Sequence, residues 1–90
     1  MTSTIIKTDG TRRDVVPRNK TDFQCDELQE IVGGYFEILP LSKSQIMVVN
    51  EEGKIHGKPY NHLATLCAYM AGIRDVIVGN VLVCDINMVK

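Results

Sequence analysis

The stretch LQEIVGGYFEILPL, residues 28–41, constrains the fold more than any other part of the chain. Its first half continues the apolar spacing of an amphipathic helix, and the Gly33-Gly34 pair supplies the left-handed residue that commonly ends one. Its second half is rich in apolar and aromatic residues and stops at Pro40, where a strand is expected to end. A helix that turns directly into a strand must pack against the sheet which that strand joins. The stretch therefore predicts an α+β core.

A basic hairpin is predicted ahead of this core, in residues 1–20. Ile5 and Ile6 begin a short strand, Asp9-Gly10 is a strong turn signal, and residues 11–16 return as a second strand. The basic residues of this segment indicate either a solvated edge that resists aggregation or, as an alternative, a surface for nucleic-acid phosphates. These residues are Arg12, Arg13, Arg18 and Lys20.

The first helix is predicted to begin at a capping box formed by Thr21 and Gln24 and to run to about Val32. Its apolar residues share one face, at Cys25, Leu28, Ile31 and Val32. After it, the pattern predicts strands over residues 35–41 and 45–49, a turn over 50–53, and a further short strand over 54–57.

A second helix is predicted over residues 62–71, with Asn61 as its N-cap and Gly72 as its end. Its predicted apolar stripe is Leu63, Leu66, Cys67 and Met70. The valine-rich residues 75–85 leave two alternatives open: Gly79-Asn80 is a hairpin turn, which is slightly favoured, or a bulge in one strand. Residues 86–90 extend the last strand. The predicted order is ββαβββαββ, a single domain over residues 1–90 with two helices packed on an antiparallel sheet.

No pattern in the sequence predicts catalysis, a cofactor or a metal site. His62 and Cys67 would point about 140° apart on one helix, so they cannot form a nucleophile–base pair there. The three cysteines are widely spaced and match no zinc pattern, and they are predicted to be reduced and buried. The net charge of −1 argues against a strongly basic nucleic-acid binder and against an acidic DNA mimic.

The sequence also predicts a cytoplasmic protein. It has no apolar run of about 20 residues that would span a membrane. Its N-terminus lacks the basic and apolar regions of a signal peptide.

Three segments resemble, in order, a family of small domains of unknown function carried by bacteriophages, plasmids and some bacteria. They are LQEIVGGYFEILPL, MVVNEEGKIHGKPYN and DVIVGNVLV. Members share a helix ending in VGGY, an NEEGK turn, a GxPxN loop and a G-N or G-D step in a valine-rich strand. The resemblance covers residues 28–83, within a family-like core of residues 21–90. It implies a mobile-element origin and assigns no activity.

The leading hypothesis is a non-enzymatic, phage-encoded binding protein that inhibits a host defence protein, such as a CRISPR nuclease, in the bacterial cytoplasm. The alternatives are a sponge for a nucleotide signal and a nucleic-acid-binding accessory protein. A homodimer would compensate for the limited core of so short a chain. The binding surface is predicted in the polar residues of the 50–62 loop, because loops on a rigid scaffold carry much of protein binding. These residues are Asn50, Glu51, Glu52, Lys54, His56, Lys58, Tyr60, Asn61 and His62.

Overall fold

An antiparallel sheet and two helices make up the fold, as a computed structural model of residues 3–89 describes it. The strands are β1 (Ser3–Ile6), β2 (Arg12–Val15), β3 (Phe36–Pro40), β4 (Gln45–Asn50) and β5 (Val81–Asp85). The helices are α1 (Cys25–Val32) and α2 (His62–Met70), and a 3-10 turn over Ile86–Met88 follows β5. The sheet order is β2-β1-β5-β4-β3, and every neighbouring pair is antiparallel. The predicted α+β class is confirmed.

The two helices pack on opposite faces of the sheet. On β4, Met47 and Val49 join the core under α2, whereas Ile46 and Val48 join the core under α1. β5 alternates in the same way. Continuous apolar runs are typical of strands that are buried on both faces, and this accounts for the sequences of the two central strands.

The start of α1 differs from the prediction. Its capping box is formed by Gln24 and Glu27, three residues later than the predicted box at Thr21. The Gln24 N–H donates to the Glu27 carboxylate at 3.2 Å, and the backbone N–H of Arg18 donates to the same carboxylate at 3.0 Å. The buried Glu27 therefore ties the preceding loop to the helix. The predicted end of the helix is confirmed, with Gly33 at φ 79°.

α2 buries a narrower face than predicted. Its fully buried residues are Ala64 and Ala68, whose small side chains pack against the sheet. Leu63 and Cys67 are partly buried, but Leu66 is 50% exposed and Met70 is 80% exposed. Half of the predicted stripe is therefore wrong, and α2 carries an exposed apolar face.

Two predicted strands are absent from residues 3–89. Residues 54–57 form hydrogen-bonded turns, with the His56 N–H donating to the Glu52 carbonyl at 3.0 Å. Residues 75–78 contribute one isolated bridge, between Val78 and Tyr60, so Gly79-Asn80 is neither a hairpin turn nor a bulge. The Gly79 N–H donates to the Pro59 carbonyl at 2.8 Å, which pairs this segment with the loop before α2. The observed order is ββαββαβ, and residues 86–88 turn instead of extending β5.

The cysteines are free thiols in three different environments. Cys84 of β5 is buried in the core under α1, Cys67 is half-buried and Cys25 is exposed on α1. The prediction of burial is wrong for Cys25. Burial raises the pKa of the Cys84 thiol to about 11, so that group is neutral at physiological pH.

Candidate binding site

The sequence motifs of the family-like core meet at one end of the sheet. The Lys58 side chain lies over Gly79 and reaches Gly33: a β-carbon on Gly79 would lie 2.9 Å from its Cδ, and one on Gly33 would lie 2.9 Å from its Nζ. We call the group formed by Lys58, Gly33, Gly79, Asn50 and Asn61 the motif junction. The Lys58 ammonium sits at the C-terminus of α1, where the helix dipole favours a positive charge and where the last turn has no basic residue of its own.

Asn61 is the best-connected side chain of the motif junction, and it is fully buried. Its side-chain amide donates to the Ile6 carbonyl at 3.0 Å and to the Gly79 carbonyl at 2.8 Å. Its side-chain oxygen accepts from the Ala64 N–H at 3.0 Å, which confirms the predicted N-cap. One residue thus links β1, the segment before β5 and α2.

Asn50, at the end of β4, also links separate segments through side-chain hydrogen bonds. It is 7% exposed, and its amide donates to the Val32 carbonyl at 3.0 Å while its oxygen accepts from the Glu52 N–H at 2.8 Å. The structure therefore gives two of the predicted binding residues, Asn50 and Asn61, buried side chains with structural hydrogen bonds.

A cleft of about 130 Å³ opens beside the motif junction. It lies between the 51–55 loop and the 75–78 segment, on the face of β3 and β4 that shares its core with α2. Leu39 and Val49 of the sheet line it, together with Ile55, which is 81% exposed, and Val76, which is 49% exposed. Its walls are joined by an ion pair.

Charged residues surround the apolar part of this cleft. The ion pair joins Lys54 Nζ to Asp75 Oδ1 at 2.5 Å, across 21 residues of sequence. Glu37 of β3 and Glu51 of the loop add two further carboxylates to the lining. The cleft is acidic as a whole, because three carboxylates outnumber one ammonium.

Only part of the predicted binding loop lines the cleft. Asn50, Glu51 and Lys54 do, whereas the other members lie outside its lining. Among the latter, Tyr60 and His62 stack edge to face with ring centroids 5.9 Å apart, and His56 Nε2 lies 3.8 Å from a Glu52 carboxylate oxygen.

The sequence prediction missed eight lining residues of the cleft, among them Glu37, Ile55, Asp75 and Val76. Ile55 had a usable signal, since it is a large aliphatic residue within a charged loop. The others enter the cleft only through the pairing of distant segments.

The basic N-terminal residues do not all lie on one face of the sheet. Arg12 and Arg13 are neighbours in β2, so their side chains point to opposite faces. Arg18 pairs with Glu30 of α1, and that carboxylate raises the pKa of the guanidinium. Lys20 is exposed in the following turn. Two of the four basic residues therefore lie on opposite faces of the sheet, and a third is held in an ion pair.

Within residues 3–89, no group of three or more His, Cys, Asp or Glu side chains is placed to hold a metal ion. Neither helix of the described chain has the length and apolar character that crossing a membrane requires.

Acidification is expected to loosen the cleft. The hydrogen bond from Lys54, followed by that from the Val76 N–H, holds the pKa of the Asp75 carboxyl below its usual value of 3.8. Because the folded-state pKa is lowered, the stabilisation is complete above the unfolded value and is lost as the pH falls below about 4. Hydrogen exchange of the 51–57 amides, corrected for intrinsic rates, should be faster at low pH.

The Asp75→Asn variant separates this carboxyl from the others that titrate with it. Its 51–57 amides should exchange faster already at neutral pH, and acid should then accelerate them less than in the wild type. Identical protection of the loop in the two proteins at neutral pH would contradict the assigned role of the ion pair.

The fold and this site define a small antiparallel α+β domain with a loop-built acidic cleft. The chain belongs to the family described as Domain of unknown function (DUF3846), whose profile matches residues 1–88. The predicted resemblance to a family of small domains of unknown function is thereby confirmed, and the match extends beyond residues 28–83 on both sides. Searches of curated proteins and of solved structures found no match.

Proposed function

We propose that this chain is a non-enzymatic binding protein that docks on another protein through the cleft surface. The cleft surface consists of Glu37, Glu51, Lys54, Ile55, Asp75 and Val76. The observation that carries the proposal is the exposure of Ile55, 81%, at the edge of a small hollow. Exposed apolar side chains around a concavity with a charged rim are typical of the centre and rim of a protein interface.

The size of the cleft favours a protein partner over a nucleotide. Small-molecule sites enclose about 300–1,000 Å³, whereas this cleft has about 130 Å³, room for one aliphatic side chain. A second, shallower hollow of about 340 Å³ lies between α2 and the sheet. Its described lining includes Leu41, Cys67 and Val83 and carries no charged side chain that would bind a phosphate. The nucleotide-sponge alternative therefore has less support than protein docking.

The acidity of the cleft surface indicates the chemistry of the partner. Charge complementarity raises the association rate and selects among partners. We infer a partner that presents an aliphatic side chain beside Lys or Arg residues. Proteins that hold nucleic acids in basic channels present surfaces of this kind.

We further propose that the partner is a host defence protein, such as a CRISPR nuclease, which this chain inhibits in the cytoplasm of a phage-infected bacterium. The resemblance to phage- and plasmid-borne domains supports this setting. The acidic cleft surface supports it as well, because it complements a basic nucleic-acid channel.

Replacing Ile55 with aspartate is expected to abolish protection in a phage-challenge assay against a panel of defence systems. The substitution removes the apolar anchor, and loss of such an anchor weakens binding by about tenfold or more. Val16→Asp is the matched control, because Val16 is 74% exposed and lies far along the chain from the cleft surface. It should protect as the wild type does.

The proposal is contradicted if the wild type protects against no defence system of the panel. It is also contradicted if Ile55→Asp protects as well as Val16→Asp. Thermal melting of both variants checks that they remain folded.

A further inference from the structure

The two edges of the sheet differ in how well they are protected from pairing. At one edge, β2 presents Arg12, Arg13 and Asp14 in a row, and such charges block the addition of another strand. At the other edge, β3 has the sequence FEILP with a single charge. Tyr35, just before the strand, is 67% exposed, and Ile38 within the strand is 42% exposed. The β3 edge is therefore open to a further strand.

Two hydrogen bonds show which backbone groups of β3 face this edge. The Leu41 N–H donates to the Gln45 carbonyl at 2.9 Å, and the Glu51 N–H donates to the Tyr35 carbonyl at 2.9 Å. Bonded and non-bonded positions alternate along an antiparallel ladder, so the odd-numbered residues of β3 bond to β4. The even-numbered residues direct their backbone groups outward: Phe36, Ile38 and Pro40.

We propose that β3 pairs antiparallel with β3 of a second copy of this chain, with Ile38 on the two-fold axis. The two Ile38 residues then exchange a pair of hydrogen bonds. Each Phe36 N–H donates to the Pro40 carbonyl of the other copy. Pro40 has no N–H to donate in return, so the hydrogen-bonded pairing ends at this position. The central pair at Ile38 is not affected.

The side chains favour this register over its neighbours. A two-fold axis at Glu37 would set two carboxylates directly opposite each other, which is destabilising. An axis at Leu39 would set Ile38 opposite Pro40 in both central pairs, and each pair would keep one hydrogen bond because proline cannot donate. With the axis at Ile38, the central pair keeps both of its hydrogen bonds. The axis at Ile38 instead places Glu37 opposite Leu39 of the second copy and buries the exposed Ile38 side chain against its own counterpart.

The interface also uses the residues that flank the strand. In the same register, Tyr35 lies opposite Leu41 of the second copy, on the face that carries α2. The pairing is nevertheless small beside a standard interface of about 800 Å² on each partner. We therefore expect a dimer that dissociates on dilution. In it, both clefts lie on the same face, on either side of the axis.

Sedimentation over a concentration series tests the dimer. The wild type should shift from monomer to dimer as concentration rises, and Ile38→Lys should remain monomeric because two ammonium groups would meet at the axis. Leu66→Lys is the control on the exposed face of α2 and should dimerise as the wild type does. The proposal is overturned if the wild type is monomeric at about 1 mM. It is equally overturned if Ile38→Lys dimerises, or if Leu66→Lys alone is monomeric.

Disulfide trapping tests the register. In a background of Cys25→Ser and Cys67→Ser, one protein carries Glu37→Cys and another carries Leu39→Cys. These positions face each other as a non-bonded pair with Cα atoms about 4.5 Å apart, within the range of a disulfide. Mild oxidation should cross-link the mixture and neither protein alone. Self-linkage of the Glu37→Cys protein, or no linkage in the mixture, would show that the strands do not pair in this way.

Discussion

Asn61→Ala is expected to destabilise the domain by about 3–5 kcal/mol, because it leaves three buried backbone groups without their partner. The carbonyls of Ile6 and Gly79 lose their donor, and the Ala64 N–H loses its acceptor at the start of α2. Asn61 is fully buried, so water cannot replace these bonds without opening the motif junction. A domain of this size is stable by about 5–13 kcal/mol, so the loss is a large share of the total.

Urea denaturation measures this loss, and two further variants interpret it. Asn61→Asp retains the oxygen that accepts from Ala64 but removes both donors, so it should also be strongly destabilised. Asn87→Ala, at an exposed position, should change the free energy of unfolding by less than about 0.5 kcal/mol. A cost for Asn61→Ala as small as that of Asn87→Ala would mean that the three bonds do not hold the junction together.

Features set by short-range chemistry could be predicted from the sequence. The Asp9-Gly10 turn, the end of α1 at Gly33, the end of β3 at Pro40 and the cap at Asn61 all depend on the steric or hydrogen-bonding character of single residues. The antiparallel pairing of β3 with β4 followed in the same way, since a short link leaves no other arrangement.

Features set by distant partners could not be predicted. Residues 75–78 have the β-branched composition of a strand, but the hydrogen bond from Gly79 to Pro59 commits them to a loop. On α2, the helical spacing indicated an apolar stripe through Leu66 and Met70. Contact with the sheet falls instead on Ala64 and Ala68. Both errors have the same cause: local propensity was given more weight than the tertiary contacts that decide the structure of these segments.

The cleft shows the same division. Glu51 and Lys54 were predicted because they lie in an evident polar loop. The ion-pair partner of Lys54 is Asp75, which is supplied by a segment 21 residues away, and Glu37 comes from the adjacent strand. Choosing binding residues by their polarity therefore includes Asn50, whose buried side chain holds the fold together. The same choice omits Ile55, the proposed apolar anchor.

Gly79→Ala is expected to destabilise the domain by about 2–4 kcal/mol, through two effects that add. Gly79 has φ 77°, a left-handed conformation that costs an alanine about 1 kcal/mol or more. In addition, the new β-carbon would lie 2.9 Å from Lys58 Cδ and 3.7 Å from its Cβ, so the side chain must move. Overpacking of this kind typically costs about 1–3 kcal/mol.

Gly10→Ala separates the two effects, because Gly10 has φ 89° with no atom within 4 Å of an added β-carbon. It should cost only the backbone part, about 1–2 kcal/mol. In a Lys58→Ala background, the loss of unfolding free energy caused by Gly79→Ala should fall to that caused by Gly10→Ala. This double-mutant cycle measures the energy of the contact between Lys58 and the new β-carbon. Equal costs for the two glycines in the wild-type background would contradict the contact. The sequence already indicates that both residues favour turns, but only the approach of Lys58 makes Gly79 the more sensitive of the two.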